Sequence, residues 1–118
     1  MSKRILIVED DPDILLILQL ILKDEGFEVL TSEDGLDIFD ILQKDNPDLV
    51  LMDVRLPSAD GRELCSQMRK ADYTIPIILM SAHLDYKLGI NHEYANDFIS
   101  KPFDFGELLI RVRRQLAA

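Results

Sequence analysis

A short apolar segment near the middle of the chain, residues 49–52, constrains the fold more than any other stretch. Its residues do not alternate with polar ones, as they would in a strand with one face in water. Such a run is typical of a strand buried on both faces, as in a parallel sheet. It ends at Asp53, and a turn follows at residues 57–61. A carboxylate in that position costs free energy unless it is paired, solvated or near a metal. Asp53 therefore either caps the turn or carries chemistry.

Similar apolar runs recur along the chain, and segments with helical periodicity separate them. Gly89 and Asn91 weaken any helix in the segment 83–96. The repeated βα order predicts a single-domain, doubly wound α/β fold with a five-stranded parallel sheet and helices on both faces. The predicted strands are 5–8, 27–30, 49–52, 76–80 and 97–100, and the clearest helices are 12–25, 32–44, 61–71 and one after residue 104.

Polar residues are expected to begin the helices. Asp11 is placed to cap the first helix, with Pro12 at its first position. Ser32 is expected to open the second, and Asp104 and Glu107 have the spacing of a capping box before the last. The predicted inward positions are Ile14, Leu15, Ile17, Leu18, Ile21 and Leu22 on the first helix, Leu36, Phe39 and Leu42 on the second, Leu64, Cys65 and Met68 on the third, and Leu108, Leu109, Val112 and Leu116 on the last. On the last helix, Arg111, Arg113 and Arg114 are expected to point largely to solvent.

Composition excludes several classes of protein. The 118 residues suit one domain, and 47% hydrophobic residues allow a real core. The net charge of −9 disfavours direct nucleic-acid binding, which needs a basic surface. The single cysteine, Cys65, rules out an internal disulfide, which is compatible with a reduced, cytoplasmic setting. No apolar stretch is long enough to span a bilayer.

Five polar residues leave the buried strands at their carboxyl ends, where open parallel sheets form their sites. They are Glu9 and Asp10, Asp53, Ser81 and Lys101. Carboxylates ~4 Å apart repel each other by about 4 kcal/mol at an effective dielectric near 20, so a cation or proton is needed. A cluster of oxygen ligands points to a hard cation, Mg²⁺ rather than Zn²⁺.

The same residues suit phosphoryl transfer, which needs alignment and charge neutralisation. An aspartate can act as nucleophile and form an acyl phosphate, and Asp53 is the candidate. The Lys101 ammonium suits a phosphoryl oxygen, and the Ser81 hydroxyl can donate to another.

Four segments, 5–12, 49–57 with Gly61, 76–82 and 97–103, resemble the receiver domains of two-component response regulators. The resemblance covers essentially the whole chain, residues 1–118. It implies a flavodoxin-like fold of the chemotaxis-receiver type with strand order 2-1-3-4-5. It also implies a signalling module rather than an enzyme, whose own chemistry is phosphorylation and slow dephosphorylation at Asp53.

The resemblance further assigns roles to individual residues. Asp53 matches the phosphoacceptor, and the implied Mg²⁺ ligands are Asp10, Asp53, the backbone carbonyl of Arg55 and, through water, Glu9. The remaining implied roles are phosphoryl binding by Lys101, Ser81 and Ala82, switching by Ser81 and Phe98, an influence on phosphoryl lifetime by Arg55 and His83, and a cis peptide bond before Pro102.

The implied partners are a histidine kinase or phosphotransfer protein as donor, and a downstream protein or fused output domain that the sequence does not identify. A phosphorylation-dependent homodimer stays open, and no direct contact with nucleic acid or membrane is expected.

Three alternatives remain. An aspartyl-phosphate phosphatase would usually carry a second acid where Arg55 stands. A flavin-binding electron carrier would need a phosphate cradle where Glu9, Asp10 and Asp11 would repel the phosphate. The third alternative is a receiver that acts as a docking module and is never phosphorylated.

Overall fold

The computed structural model describes residues 2–82 and 94–117 of the chain. Its five strands are parallel and lie in the order β2-β1-β3-β4-β5. The predicted flavodoxin-like α/β fold and its strand order are therefore confirmed. The strands are β1 Arg4–Val8, β2 Glu28–Ser32, β3 Leu49–Asp53, β4 Ile77–Ala82 and β5 Asp97–Lys101, and the helices are α1 Pro12–Asp24, α2 Ile38–Asp45, α3 Gly61–Lys70 and α4 Phe105–Ala117.

Two apolar layers lie on opposite faces of the sheet. Helices α2 and α3 pack on one face, and α1 and α4 pack on the other. Successive residues of a strand point to opposite faces, so Leu6 and Val8 reach the first layer while Ile5 and Ile7 reach the second. This is why the central strands are apolar throughout and show no alternation.

Side-chain caps begin the helices as predicted at Asp11 and Asp104. Asp11 accepts hydrogen bonds from the amides of Asp13 and Ile14 at 2.9 and 3.3 Å, with Pro12 in the first turn. Asp104 accepts bonds from the amides of residues 106 and 107 at 2.6 and 3.3 Å. The other half of the predicted capping box differs, because the Glu107 carboxylate pairs with Arg111 along the helix at 2.9 Å.

The predicted start of the second helix is wrong. Ser32 is the last residue of β2, and α2 begins only at Ile38. The Ser32 hydroxyl accepts a bond from the Gly35 amide at 3.0 Å and donates to Asp37 at 2.5 Å, so it holds a turn rather than a helix. Leu36 lies in this turn and is 66% exposed, which corrects its predicted inward position.

Most other predicted core and solvent-facing positions are confirmed, but Ile17 and Arg111 differ from their predictions. Ile17 is 42% exposed, because the buried stripe of α1 is narrower than expected and centres on Leu18 and Leu22. Arg111 is only partly exposed and pairs with Asp97 at 2.6 Å, whereas Arg113 and Arg114 face solvent as predicted.

The segment 83–96, whose conformation the sequence leaves open because Gly89 and Asn91 weaken any helix, falls largely on residues 83–93, outside the described residues. Among the residues that are described, no helix is both long enough and apolar enough to cross a membrane.

Candidate functional site

The parallel sheet brings the predicted polar residues to one edge. Glu9 and Asp10 directly follow β1, Asp53 ends β3, and Lys101 ends β5. Ser81 is the penultimate residue of β4. All of these strands run in the same direction, so their carboxyl ends share one rim of the sheet.

The ammonium of Lys101 joins two of the acids directly. Its Nζ donates to Glu9 Oε1 at 2.6 Å and to Asp53 Oδ2 at 2.8 Å. Lys101 thus reaches from the edge strand β5, past β4, to the centre of the sheet. These are short, charge-assisted hydrogen bonds, and they hold the two carboxylates in a fixed position.

The acids differ in their exposure to solvent. Glu9 is fully buried and Asp53 is 7% exposed, whereas Asp10 faces solvent. Each of the three offers a carboxylate oxygen, and these oxygens lie within 4.8 Å of one another. Three carboxylates against one ammonium leave excess negative charge, and an all-oxygen donor set open to solvent at Asp10 fits Mg²⁺.

Burial and like charge alter the titration of these groups. Desolvation, together with the neighbouring Asp53 carboxylate, raises the pKa of Glu9 to about 7. Burial acts to lower the pKa of Lys101, but its hydrogen bonds to Asp53 and Glu9 outweigh burial and raise that pKa above its ordinary value. The ammonium therefore stays charged at neutral pH, while burial and the neighbouring Asp53 carboxylate disfavour the charged form of Glu9.

The loop after β3 orients the Asp53 carboxylate. The Arg55 amide donates to Asp53 Oδ1 at 3.2 Å, so each carboxylate oxygen has a donor. The loop closes through a bridge between Arg55 and Asp60 and a 2.7 Å bond from the Gly61 amide to the Val54 carbonyl. The side chain of Asp60 also caps α3 by accepting from the Arg62 amide at 2.8 Å, and the paired Arg62 guanidinium lowers the pKa of Asp60.

Gly61 lies directly behind Asp53. A Cβ atom at position 61 would stand 2.3 Å from the Asp53 carbonyl oxygen and 3.0 Å from its carbonyl carbon. Real Cβ atoms do not approach backbone so closely, so this helix start requires glycine. Spacing alone did not predict this contact, because nothing in the sequence marks which backbone passes behind a given glycine.

The remaining predicted site residues are distributed over β4, β5 and the segment that follows each strand. Ser81 is buried, and Ala82 pairs with Lys101 in the β4–β5 ladder. Phe98 lies at the other end of β5 and is buried in the core layer of α2 and α3, with 7% exposure. The Lys101–Pro102 peptide bond is cis. His83 lies outside the described residues.

The chain is similar to a known protein family and to several solved structures. Residues 5–113 match the family described as the response regulator receiver domain. A candidate response regulator from Chloroflexus aurantiacus J-10-fl is 35% identical, with a TM-score of 0.92 over 100% of both chains.

Two further similar solved structures contain magnesium. The response regulator TrrA from Thermotoga maritima, in complex with Mg²⁺ and BeF, is 33% identical over 97% of this chain and 99% of its own, with a TM-score of 0.87. The receiver domain of a sensor histidine kinase from Pseudomonas aeruginosa PAO1, with magnesium in its active-site cleft, is 28% identical over 100% of both chains, with a TM-score of 0.86. With this fold, this acidic rim and a family match over most of its length, the chain belongs to the response regulator receiver domain family.

Proposed function

We propose that this receiver domain accepts a phosphoryl group on Asp53 and thereby changes its affinity for a partner. One observation carries the proposal: Asp53 is buried, shares the Lys101 ammonium with Glu9, and has carboxylate oxygens of Glu9 and Asp10 within 4.8 Å. In this proposal Mg²⁺ would be held by Asp10, Asp53 and the Arg55 carbonyl, with Glu9 contributing through water.

The proposed transfer is a displacement at phosphorus. A carboxylate oxygen of Asp53 attacks, the new P–O bond forms, and the P–N bond of a phosphohistidine donor breaks, with the electron pair staying on the imidazole. Bound Mg²⁺ would neutralise part of the charge on the carboxylates and on the phosphoryl oxygens. In this proposal Lys101 would bind an oxygen of the transferred group, and Ser81 and Ala82 would contact it from β4. Hydrolysis is a second displacement: water attacks phosphorus and loses a proton to solvent, the P–O bond to Asp53 breaks with its electron pair returning to the carboxylate, and inorganic phosphate leaves.

The response to phosphorylation is a shift between two conformations that already exist. Phosphorylation adds negative charge and acceptor oxygens at Asp53. The side chains of Ser81 and Lys101 would move toward these oxygens and bind them. Phe98 is already buried in this structure. We therefore take the described conformation to be one with the switch aromatic inward, and propose that phosphorylation stabilises this arrangement.

The donor that fits this site is a histidine kinase or a histidine phosphotransfer protein, because phosphohistidine supplies an activated phosphoryl group to a carboxylate. One of the similar solved structures is itself the receiver domain of a sensor histidine kinase. Arg55 follows Asp53 by two residues and is exposed, and we propose that it and His83 modulate how quickly water reaches the phosphoryl group.

The test is intact-mass spectrometry after incubation with acetyl phosphate. Wild type is expected to gain one phosphoryl group when Mg²⁺ is present and none in EDTA. Asp53→Asn should gain none, because an amide oxygen is a far weaker nucleophile. Asp24→Asn is the matched control, since Asp24 is an exposed acid at the distant end of α1, and it should behave as wild type.

Other outcomes would contradict the proposal. Equal phosphorylation of Asp53→Asn and wild type would remove Asp53 as the acceptor. Steady turnover of small phosphate esters would instead support the phosphatase alternative. If wild type with Mg²⁺ gains no phosphoryl group from either acetyl phosphate or a phosphohistidine donor, the docking-module alternative stands.

A further inference from the structure

Strand β5 carries Lys101, yet its apolar pattern does not specify how it pairs with β4. Phe98 and Ile99 point to opposite faces, and both are buried, at 7% and 4% exposure. On β4 the residues 77–80 are all apolar and all buried. A slip of one residue would therefore replace apolar contacts by apolar contacts, so the hydrophobic pattern opposes it only weakly.

The register of β5 nevertheless decides where Lys101 stands. Neighbouring side chains on a strand point to opposite faces, so a slip of one residue would turn Lys101 away from Glu9 and Asp53. In the observed register Ala82 pairs with Lys101 and Ile78 pairs with Asp97. The ion pairs of Lys101 hold the carboxyl end of β5, but these are the contacts that phosphorylation of Asp53 would change.

The amino end of β5 is fastened to β4 by Asn96. The Asn96 amide donates to the Ile77 carbonyl at 2.9 Å, and the Ile77 amide donates to the Asn96 side-chain oxygen at 2.9 Å. Backbone and side chain of one residue thus make both bonds to Ile77, one position before the pairing of Asp97 with Ile78. A slip that places Ala95 opposite Ile77 would lose the side-chain acceptor of this extra rung. A slip that places Asp97 there would keep an acceptor, but it would turn the Asp97 carboxylate away from the face on which it pairs with Arg111.

Arg69 of α3 ties the same residue to the rest of the fold. Its Nη2 donates to the Asn96 side-chain oxygen at 2.8 Å, and its Nε donates to the Tyr94 carbonyl at 3.0 Å. Its Nη1 donates to the carbonyls of Tyr73 and Ile75, at 3.0 and 2.8 Å, in the connection between α3 and β4. One guanidinium therefore binds both the connection before β4 and the connection before β5.

A second ion pair near β5 does not fix the strand relative to β4. Arg111 pairs with Asp97 at 2.6 Å, but Arg111 lies on α4, which follows β5 within a few residues. That contact links two consecutive elements that would move together. Arg69 and Ile77 belong to α3 and β4, so their bonds to Asn96 fix β5 relative to the remainder of the sheet.

We propose that Arg69 and Asn96 form a register lock that holds β5 against β4 and so positions Lys101 beside Asp53 while the contacts of Lys101 change. Both are positioning residues. They contact the amino end of β5, at the opposite end of the strand from the phosphorylation site, and they act on that site through the strand. The effect on phosphorylation rests on the proposed function, whereas the effect on the pairing of β5 does not.

The chemistry of the lock distinguishes conservative from disruptive substitutions. Asn96→Asp keeps an oxygen that accepts from both Ile77 and Arg69 and adds an ion pair with Arg69, so the lock survives. Asn96→Ala removes that acceptor. Arg69→Lys keeps the charge but replaces a planar fork of five donors by a compact ammonium, which cannot serve four acceptors spread over two connections.

The experiment combines native-state amide hydrogen exchange with phosphorylation by acetyl phosphate and Mg²⁺. We expect Asn96→Ala and Arg69→Lys to raise exchange at residues 97–101 about tenfold relative to β1, and to slow phosphorylation about three- to tenfold. Asn96→Asp should stay within twofold of wild type in both measurements. Arg113→Lys is the matched control, because Arg113 is an exposed arginine of α4 paired with Glu25 of the α1 C-cap, and it should change neither.

The outcomes separate the lock from the proposed function. Exchange at β5 within twofold of wild type in both disruptive variants, or an equal rise in all five strands, would overturn the lock. Selective exchange at β5 with an unchanged phosphorylation rate would overturn its action on Lys101. If wild type is not phosphorylated at all, the proposed function fails, and the selective exchange of β5 with its rescue by Asn96→Asp still decides the lock.

Discussion

Gly61 and Asp53 are in backbone contact: a Cβ atom at residue 61 would stand 2.3 Å from the carbonyl oxygen of Asp53. The first residue of α3 therefore forms the wall behind the proposed phosphoacceptor. The atom in the way belongs to the backbone, which cannot turn aside as a flexible side chain can. Any side chain at position 61 must push the Asp53 peptide or the start of α3 out of place.

We expect Gly61→Ala to lower the free energy of unfolding by about 2–3 kcal/mol, in the range of overpacked cores. It should also slow phosphorylation, since Asp53 is displaced. Gly106→Ala is the control, because the Cβ there would meet the flexible side chain of Asp104 at 3.0 Å, and we expect a change within about 1 kcal/mol. Urea denaturation measures both, and equal stability of the two variants would contradict the assigned contact.

Mg²⁺ should stabilise the folded protein, because it relieves the repulsion of the clustered carboxylates. At ten times its dissociation constant the gain is about 1.4 kcal/mol. Asp10→Asn should abolish most of this gain at little cost in metal-free stability, because Asp10 is exposed. Asp24→Asn should retain it. Thermal unfolding with and without Mg²⁺ at constant ionic strength makes the measurement, and a full Mg²⁺ response in Asp10→Asn would exclude Asp10 as a ligand.

Glu9 predicts a pH dependence of metal-free stability. Its pKa is raised from an ordinary 4.5 to about 7 in the folded chain, so the folded state holds the proton more tightly than the unfolded state. The resulting stability is fully present below pH 4.5 and is lost as pH rises through 7. Relative to Glu9→Gln, which cannot ionise, wild type should lose roughly 2–3 kcal/mol over this interval. Urea denaturation in EDTA at several pH values provides the curve, and a constant difference between the two proteins would contradict the shift.

Removal of the Lys101 ammonium should make the domain depend on Mg²⁺. Lys101→Met leaves buried Glu9 and Asp53 without their shared cation, which we expect to cost about 2 kcal/mol in EDTA, less than a fully buried pair because Lys101 is partly exposed. Added Mg²⁺ should then stabilise the variant more than wild type. Lys44→Met, at an exposed site on α2, is the control. Equal Mg²⁺ responses in Lys101→Met and wild type would show that Lys101 and the metal do not neutralise the same carboxylates.

The fold and the acidic rim were predictable because they rest on local signals. Apolar runs without alternation mark buried parallel strands, and the polar residue at the end of each run must lie at the same edge. Glu9, Asp10, Asp53 and Lys101 were placed together for this reason, and the structure brings them together.

Features that depend on packing between distant segments were not predictable in the same way. Serine is a common helix cap, but the Ser32 hydroxyl instead closes a turn with Gly35 and Asp37. The role of Arg69 was invisible, since its acceptors are mostly backbone carbonyls, which every residue carries. Helical periodicity likewise predicted a buried stripe on α1 that is wider than the part of the helix that packs against the rest of the fold. Ile17 lies outside the packed part and is exposed.

The bond between Lys101 and Glu9 joins residues 92 positions apart, and it has a consequence for synthesis of the chain. A ribosome delivers β1 and β3 well before β5, so a nascent chain carries the carboxylates without their ammonium. Such an intermediate has no Lys101 to bind a phosphoryl oxygen, and we expect it to be a poor phosphoryl acceptor. Under the proposed function, competence for phosphorylation would then report that β5 has been made and docked, so that only a domain with this strand in place would carry the signal.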